Sequence, residues 1–248
     1  MKTMKFSQRG FTLVELMVAI VISVFLIGGL LMMVQSTRNA FGNQNLLGQL
    51  QDNERLAMTF MADVIESTGY FPDPVNNTNV SLMPAIGSFA PGQAVFGTFS
   101  AAAPGDTVSI RYAAAAGDQN LFNCLGKVNT AAATDVFTNT FSVDPVNQQL
   151  VCTASSQLGS FATTTVPLVN GVQKLVILYG VKRSVTDTGS CADTYLSAAP
   201  GQMLAADWNN VCSVSVEVTF TNPIPPQNPP TIIIRRVIAT MNAAGVNS

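Results

Sequence analysis

The sequence predicts an α+β protein in which one long amino-terminal helix packs on an antiparallel β-sheet. Residues 11–34 are apolar or small apart from Glu15, and an amphipathic stretch without proline follows them. After Gly69 the chain changes to short β-branched runs separated by Gly, Pro, Ser and Asn, which is typical of strands and turns. An amphipathic helix beside a half-covered sheet is expected to bury its apolar face on that sheet.

The apolar run over residues 11–34 is long enough to cross a membrane, because as a helix it would span about 36 Å. Lys2, Lys5 and Arg9 precede it, which predicts a cytoplasmic amino terminus. A secretory signal fits less well, since its apolar region is about 7 to 15 residues long. The best small residue after the run, Ala40, also has Arg38 at the −3 position. We therefore expect a single-pass anchor.

The helix is predicted to continue beyond the membrane over residues 35–68. No proline interrupts the chain from Asn43 to Thr68, and polar residues separate apolar ones at three-to-four spacing. The apolar positions are Leu47, Leu50, Ala57, Met61, and Val64 or Ile65. One face of this segment is expected to cover the sheet.

Five segments are predicted to be strands: TVSIRYA (107–113), QQLVCTA (148–154), KLVILYGV (174–181), CSVSVEVTFT (212–221) and TIIIRRVIATM (231–241). TNTFSVD (138–144) is a further candidate. Val214, Val216 and Val218 alternate with polar residues, which indicates a sheet with one covered face. The stretch NPIPPQNPP is expected to be a hairpin connection or an exposed loop, and its proline density also permits a polyproline-type ligand.

Composition argues against several classes of function. The 248 residues include no histidine, the commonest general base and transition-metal ligand, so we expect no enzyme, no catalytic residues, no cofactor and no metal site. The 12 Lys and Arg residues are outnumbered by 14 Asp and Glu residues, and no basic run follows Arg9. Direct nucleic-acid binding is therefore not expected.

Four cysteines, Cys124, Cys152, Cys191 and Cys212, lie too far apart for a close C-x-x-C pair. An even number in a translocated domain predicts two disulfides, and four cysteines allow three pairings. We favour the sequential one. Cys124 and Cys152 flank the TNTFSVD segment, and a bond between Cys191 and Cys212 would close the irregular 182–211 region.

Acidic side chains in this second region raise the question of a calcium site. Asp187, Asp193 and Asp207 could ligate the ion. The D-x-D-x-D-G spacing of a calcium loop is missing, so a solvated acidic loop is the favoured interpretation.

The segment RGFTLVEL (residues 9–16), after a short basic leader, closely resembles the class III signal of type IV prepilins and pseudopilins. The resemblance implies that residues 1–10 are a leader peptide and that a prepilin peptidase cleaves after Gly10 on the cytoplasmic face. It also implies N-methylation of the new terminus at Phe11, with the apolar helix kept as the anchor. Glu15 would then be the fifth residue of the mature chain.

A carboxylate such as Glu15 costs about 2.5 to 3.5 kcal/mol in the hydrocarbon core on insertion scales. In a bundle of such subunits it could face the amine of Phe11 in a neighbouring subunit, and this ion pair would stabilise the assembly. The alternative is that Glu15 reaches the membrane interface without an assembly contact.

Later segments narrow the resemblance further. TVSIRYA, the Cys-Leu-Gly segment at Cys124, NQQLVC, LVNGVQKLVILYGV, VCSVSVEVTF and RRVIATMNA together resemble the PilW family of type IV pilus minor pilins. The resemblance implies a pilin fold with a globular head over residues 69–248. It also implies a low-abundance subunit of the bacterial inner membrane, with its head in the periplasm and later on the pilus at the cell surface.

The implied function is priming of pilus assembly at the pilus tip, for twitching, adhesion or DNA uptake. The implied partners are other minor pilins, the major pilin, the prepilin peptidase and a tip adhesin. Two alternatives remain: a minor pseudopilin of a type II secretion system, and a membrane-tethered adhesin or binding module. Glu15 and the peptidase motif favour a pilin over a tether, because a tether needs neither.

Overall fold

The computed structural model describes residue 10 and residues 12–184, 191–224, 226 and 229–240. Helix α1 extends over Leu13–Glu66, so the apolar segment and its amphipathic continuation form one helix. The chain divides into two compact units, Met1–Gln49 and Leu50–Ser248. The first unit contains α1 as far as Gln49. The second contains the rest of α1 and every strand.

The later part of α1 buries an apolar face inside the second unit. Its buried side chains recur at helical spacing: Leu50, Ala57, Met58, Met61, Ala62, Val64 and Ile65. Leu47, which was predicted on the same face, is exposed. The amphipathic pattern therefore located the buried face correctly from Leu50 onward.

The strands form two antiparallel sheets rather than the single sheet predicted. The first sheet has the order β1-β2-β3-β4-β5, and the second has the order β7-β6-β8-β9. The strand bounds are β1 Val95–Thr98, β2 Thr107–Ala114, β3 Asp135–Asp144, β4 Gln149–Ser156, β5 Thr164–Asn170, β6 Val172–Val181, β7 Thr194–Leu196, β8 Val211–Thr221 and β9 Thr231–Ala239. A short helix α2 (Asn79–Leu82) precedes β1, and a 3-10 turn (Asp207–Asn210) precedes β8.

The first sheet is a meander in which each strand pairs with the next along the chain. Val108 lies opposite Phe141, which lies opposite Cys152, so these three side chains share the covered face. The hairpin β3–β4 contains the predicted TNTFSVD strand, which extends back to Asp135. Strands β1 and β5 lie at the two edges.

The second sheet is built around β6 and β8. Val214, Val216, Val218 and Phe220 are buried, as the alternation in the sequence predicted. Strands β8 and β9 are antiparallel neighbours, so the proline-rich stretch is the connection of a hairpin; its residues 225, 227 and 228 lie outside the described residues. Strand β7 covers only the end of β6 from Tyr179 to Val181.

A short crossing segment joins the two sheets. Gly105 forms a parallel bridge with Leu175 of β6. The N–H of Asp106 donates to the carbonyl of Leu175 at 2.8 Å, and the Asp106 carboxylate accepts from the N–H of Ile177 at 2.8 Å. The crossing segment thus occupies part of the β6 edge that β7 leaves open. Both sheets and the part of α1 from Leu50 onward share one apolar core.

Candidate functional site

The predicted cleavage residue Gly10 and the predicted assembly residue Glu15 lie at the start of α1; Phe11 lies outside the described residues. Gly10 is exposed and precedes the helix. Glu15 is exposed within the chain and occupies the first helical turn. The structure therefore places Gly10 and Glu15 on either side of the helix start.

Thr12 and Glu15 bind each other at this helix start. The Glu15 carboxylate accepts from the backbone N–H of Thr12 at 2.9 Å and from its hydroxyl at 3.0 Å. In return, the backbone N–H of Glu15 donates to Thr12 Oγ1 at 3.3 Å. This reciprocal arrangement is a capping box, which satisfies N–H groups that have no partner at a helix start.

Thr12 was not among the predicted site residues, although its signal was present in the sequence. A threonine three positions before a glutamate, directly ahead of an apolar run, is the pattern of a capping box. A single chain thus gives the Glu15 carboxylate hydrogen-bond donors of its own. Glu15 has a local role in the helix as well as any role between subunits.

The side chains of the apolar part of α1 are exposed. In the described residues α1 is the one helix whose length and composition would let it cross a membrane. Large apolar side chains along it, including Phe25, Leu31 and Met32, are exposed within the chain. Such a helix fits membrane anchoring, because lipid would cover the surface that the chain leaves bare.

The structure pairs the cysteines sequentially, as favoured from the sequence. Cys124 bonds to Cys152 of β4, and Cys191 bonds to Cys212 of β8. Cys152 is fully buried, so the first bond fixes the 120–127 loop to the covered face of the first sheet. The second bond fixes the segment before β7 to the start of β8.

The candidate calcium residues have other partners. The Asp207 carboxylate forms an ion pair with Arg183 and accepts from the N–H of Leu204 at 2.8 Å. The guanidinium of Arg183 holds the pKa of Asp207 below its ordinary value. Asp193 accepts backbone N–H groups of Arg183 and Ser184, and Asp187 lies outside the described residues. In the described part of the chain these carboxylates organise the loop before β8.

Arg111 on β2 is fully buried, although it carries a charge. Within the described residues its side chain donates hydrogen bonds to backbone carbonyl oxygens, and its guanidinium lies 4.7 Å from the ring centre of Phe89. Burial lowers the pKa of Arg111 to about 10, so it stays charged at neutral pH. The four acceptors are the carbonyls of Met83, Pro84, Ala90 and Gln93.

Arg111 therefore gives the long segment between α1 and β2 a fixed path. The sequence analysis assigned no helix or strand to that segment, and a lone arginine in TVSIRYA was the one visible sign of this role. An arginine in a strand is usually solvent-exposed, so its acceptors could not be foreseen.

An apolar groove runs between α1 and the edge strand β5 within the second unit. It has a volume of about 660 Å³, and Phe60, Phe161, Val166 and Leu168 are among the side chains that line it. A neighbouring groove of about 360 Å³ shares Phe60, Cys124 and Gly126 with it. The thiols of Cys124 and Cys152 are joined in a disulfide, so neither offers a nucleophile here.

Two segments of the chain match known protein families. The prokaryotic N-terminal methylation motif matches residues 5–31, and the family described as type IV pilus-assembly protein W matches residues 136–231. The two matches support a type IV pilin of the PilW family. The first match covers the predicted cleavage and assembly residues, and the second runs from the second residue of β3 to the first residue of β9.

Solved structures were compared with this pilin by shape. A type IV-like pilin from Thermus thermophilus aligns over 79% of this chain and 97% of its own, with 14% identity and a TM-score of 0.48. The GspK-GspI-GspJ complex of the type II secretion system of enterotoxigenic Escherichia coli contributes a chain that aligns over 79% of this pilin and 96% of its own. That alignment has 12% identity and a TM-score of 0.38. A search of curated proteins finds no match.

The family matches support a type IV pilin-like minor pilin. Its amino-terminal motif and apolar helix fit membrane anchoring, and its assembly domain fits interaction with other pilins.

Proposed function

We propose that this pilin joins other minor pilins in the complex that primes type IV pilus assembly and that it stays at the pilus tip. One observation carries the proposal: a prepilin motif containing Glu15 and a PilW-type assembly domain occur on the same chain. A subunit of this kind would contact the major pilin below it and a tip adhesin above it. Twitching, adhesion or DNA uptake would then depend on the filament.

Processing is the first step of the proposed function. A prepilin peptidase would cut after Gly10 and methylate the new amino terminus at Phe11. Gly10 lies outside α1 and is exposed. The basic leader would keep this end in the cytoplasm, and the head would cross to the periplasm, where its two disulfides are stable.

Glu15 is the proposed contact between subunits. Among the described residues its carboxylate accepts hydrogen bonds from Thr12 alone, and these neutral donors leave its negative charge uncompensated. The amine of Phe11 in a neighbouring subunit would supply the opposite charge. Because an ion pair is strong where water is excluded, this contact would favour the stagger of helices that brings the two groups together.

Deletion and complementation in the native host test this function. The deletion strain should make few surface pili, and the wild-type chain should restore them. Intact-mass measurement of the restored protein should show a chain that begins at N-methylated Phe11. Normal piliation in the deletion strain, with loss of type II secretion instead, would assign the protein to the secretion system. An unprocessed chain would favour a membrane-tethered binding module.

A further inference from the structure

The two sheets have four edge strands, and three of them carry features that discourage further pairing. Strands β1 and β7 have only four and three residues. Strand β5 contains Pro167, and its register against β4 shifts between Leu150 and Val151. Short length, proline and irregular register all protect sheet edges.

Strand β9 has none of these protections. It is nine residues long, contains no proline, and pairs with β8 from Thr231 to Ala239 without a register shift. Within the described residues no backbone group outside β8 is hydrogen-bonded to it. A long, regular open edge of this kind is a template for an additional strand.

Two hydrogen bonds just beyond its ends show which backbone groups of β9 point outward. The N–H of Thr240 donates to the carbonyl of Cys212, and the N–H of Asn222 donates to the carbonyl of Pro230, both at 3.0 Å. Residues that bond to the partner strand alternate with residues whose N–H and C=O point away. Even-numbered residues of β9 therefore bond to β8. The residues that point outward are Thr231, Ile233, Arg235, Val237 and Ala239.

The side chains along this edge are apolar at two points and positive between them. Ile233 is 58% exposed and Val237 is 55% exposed. Arg235 forms an ion pair with Glu217 on β8, whereas Arg236 is exposed and has no carboxylate partner within the described residues. The centre of the edge therefore carries one uncompensated positive charge.

This charge selects against a second copy of the same strand. In an antiparallel pair of two β9 edges, opposite residues are both odd-numbered or both even-numbered, so the two central registers place Arg235 opposite Arg235 or Arg236 opposite Arg236. Like charges directly opposite each other destabilise such a pair. A partner strand with Asp or Glu at that point has the complementary charge, and apolar residues on either side of it can cover Ile233 and Val237.

We propose that the β9 edge binds an extended segment of a different pilin subunit by strand addition. The segment has an Asp or Glu opposite the arginines and apolar residues beside it. This inference rests on the proposed function, since it assumes that other pilins are the neighbours of this one. Main-chain hydrogen bonds would supply affinity, and the charge and apolar side chains would supply selectivity.

A matched pair of substitutions in the full-length protein tests the hydrogen bonds. Val237→Pro removes an outward N–H and no bond to β8, because Val237 is one of the outward residues. Val237→Thr shortens the apolar surface and keeps the N–H. We expect Val237→Pro to lower the amount of other pilins that co-purify by about tenfold, and Val237→Thr to lower it much less.

A second pair tests the charge. Arg236→Glu should reduce co-purification by about tenfold, since it replaces attraction by repulsion, whereas Arg236→Lys should keep it. A photo-crosslinking amino acid at Ile233 should join the chain to an acidic extended segment of another pilin. The same probe at Val146, which is 86% exposed in the turn after β3, should give no such product.

Thermal unfolding of each variant identifies any general loss of fold. Normal unfolding together with wild-type co-purification of Val237→Pro would overturn the proposal, as would crosslinking of Ile233 to a second copy or to a protein that is not a pilin. If Val237→Pro unfolds early, the crosslink at Ile233 decides. If only the strand-addition proposal is wrong, the deletion strain still makes few surface pili. If the proposed function itself is wrong, the deletion strain makes pili normally.

Discussion

Replacing Arg111 by methionine should destabilise the head strongly, because one buried guanidinium holds four carbonyl oxygens. Methionine has a similar length and fills much of the same space, but it donates no hydrogen bonds. The carbonyls of Met83, Pro84, Ala90 and Gln93 would each lose a donor. The path of the segment before β2 would lose its main fixed point.

The size of the effect follows from these four acceptors. At a net value of about 1 kcal/mol for each hydrogen bond, the loss is about 4 kcal/mol. Burial of an apolar side chain in place of a charge returns about 1 kcal/mol. The expected decrease in the free energy of unfolding is therefore about 3 kcal/mol, which corresponds to a fall in Tm of about 6 to 12 °C for a unit of this size.

Trp208 provides the assay, because it is the single tryptophan and lies between the two sheets. Its ring centre is 5.4 Å from that of Phe96 on β1 and 4.9 Å from that of Tyr179 on β6. Thermal unfolding of the full-length protein in detergent can be followed by its fluorescence. Arg55→Met, at an exposed position, is the control and should change Tm by less than about 2 °C. An Arg111→Met variant that melts like this control would refute the reasoning.

Three further predictions concern the head. Gly105→Ala should lower the free energy of unfolding by about 3 kcal/mol or more, because the backbone φ is +91° and a Cβ would lie 2.0 Å from the carbonyl oxygen of Leu175. Gly117→Ala, at φ +63° with open space around it, should lower it by about 1 kcal/mol, and urea titration measures both values. Since the pKa of Asp207 is lower in the folded chain, its contribution to stability is complete above about pH 4 and is lost as the pH falls through the folded value. In Asp207→Asn the free energy of unfolding should therefore fall less steeply with decreasing pH below about pH 4. Removing the Cys124–Cys152 bond by double substitution to Ala should lower stability by about 3 kcal/mol, and unchanged unfolding would show that the 120–127 loop is held without it.

The parts of the fold with a strong local pattern were predictable. Strand β8 alternates strictly between apolar and polar residues, and α1 repeats its apolar positions at helical spacing. Strands β1 and β7 are too short to show a period, and β5 contains Pro167, which argues against a strand in sequence. Local pattern was therefore sufficient only where a strand was long and half-buried.

The division into two sheets depends on contacts that sequence does not display. The crossing segment meets β6 at Leu175, seventy residues after Gly105, and only the absence of a side chain at Gly105 permits that approach. Arg111 likewise finds acceptors that come near it only after the chain has folded. The capping box differs, because Thr12 and Glu15 are close in sequence and their partnership could have been recognised.

The central claim is that the charge of Glu15 is the contact between subunits. Substitution can separate this role from the role of Glu15 in the helix cap. Glu15→Gln keeps an oxygen that can accept from Thr12 but removes the charge, whereas Thr12→Ala keeps the charge and removes the hydroxyl of the cap. Glu15→Asp keeps the charge with a shorter reach and should be intermediate. The measurement is the number of surface pili, together with co-purification of minor pilins, in strains that carry each variant.

We predict that Glu15→Gln is processed and membrane-anchored in normal amounts, because removal of a charge from lipid does not hinder insertion. It should nevertheless fail to join other minor pilins, so that the strain carries few surface pili. The strain with Thr12→Ala should carry more surface pili than the strain with Glu15→Gln. Wild-type piliation with Glu15→Gln, together with unchanged co-purification, would contradict the claim that this charge is the assembly contact.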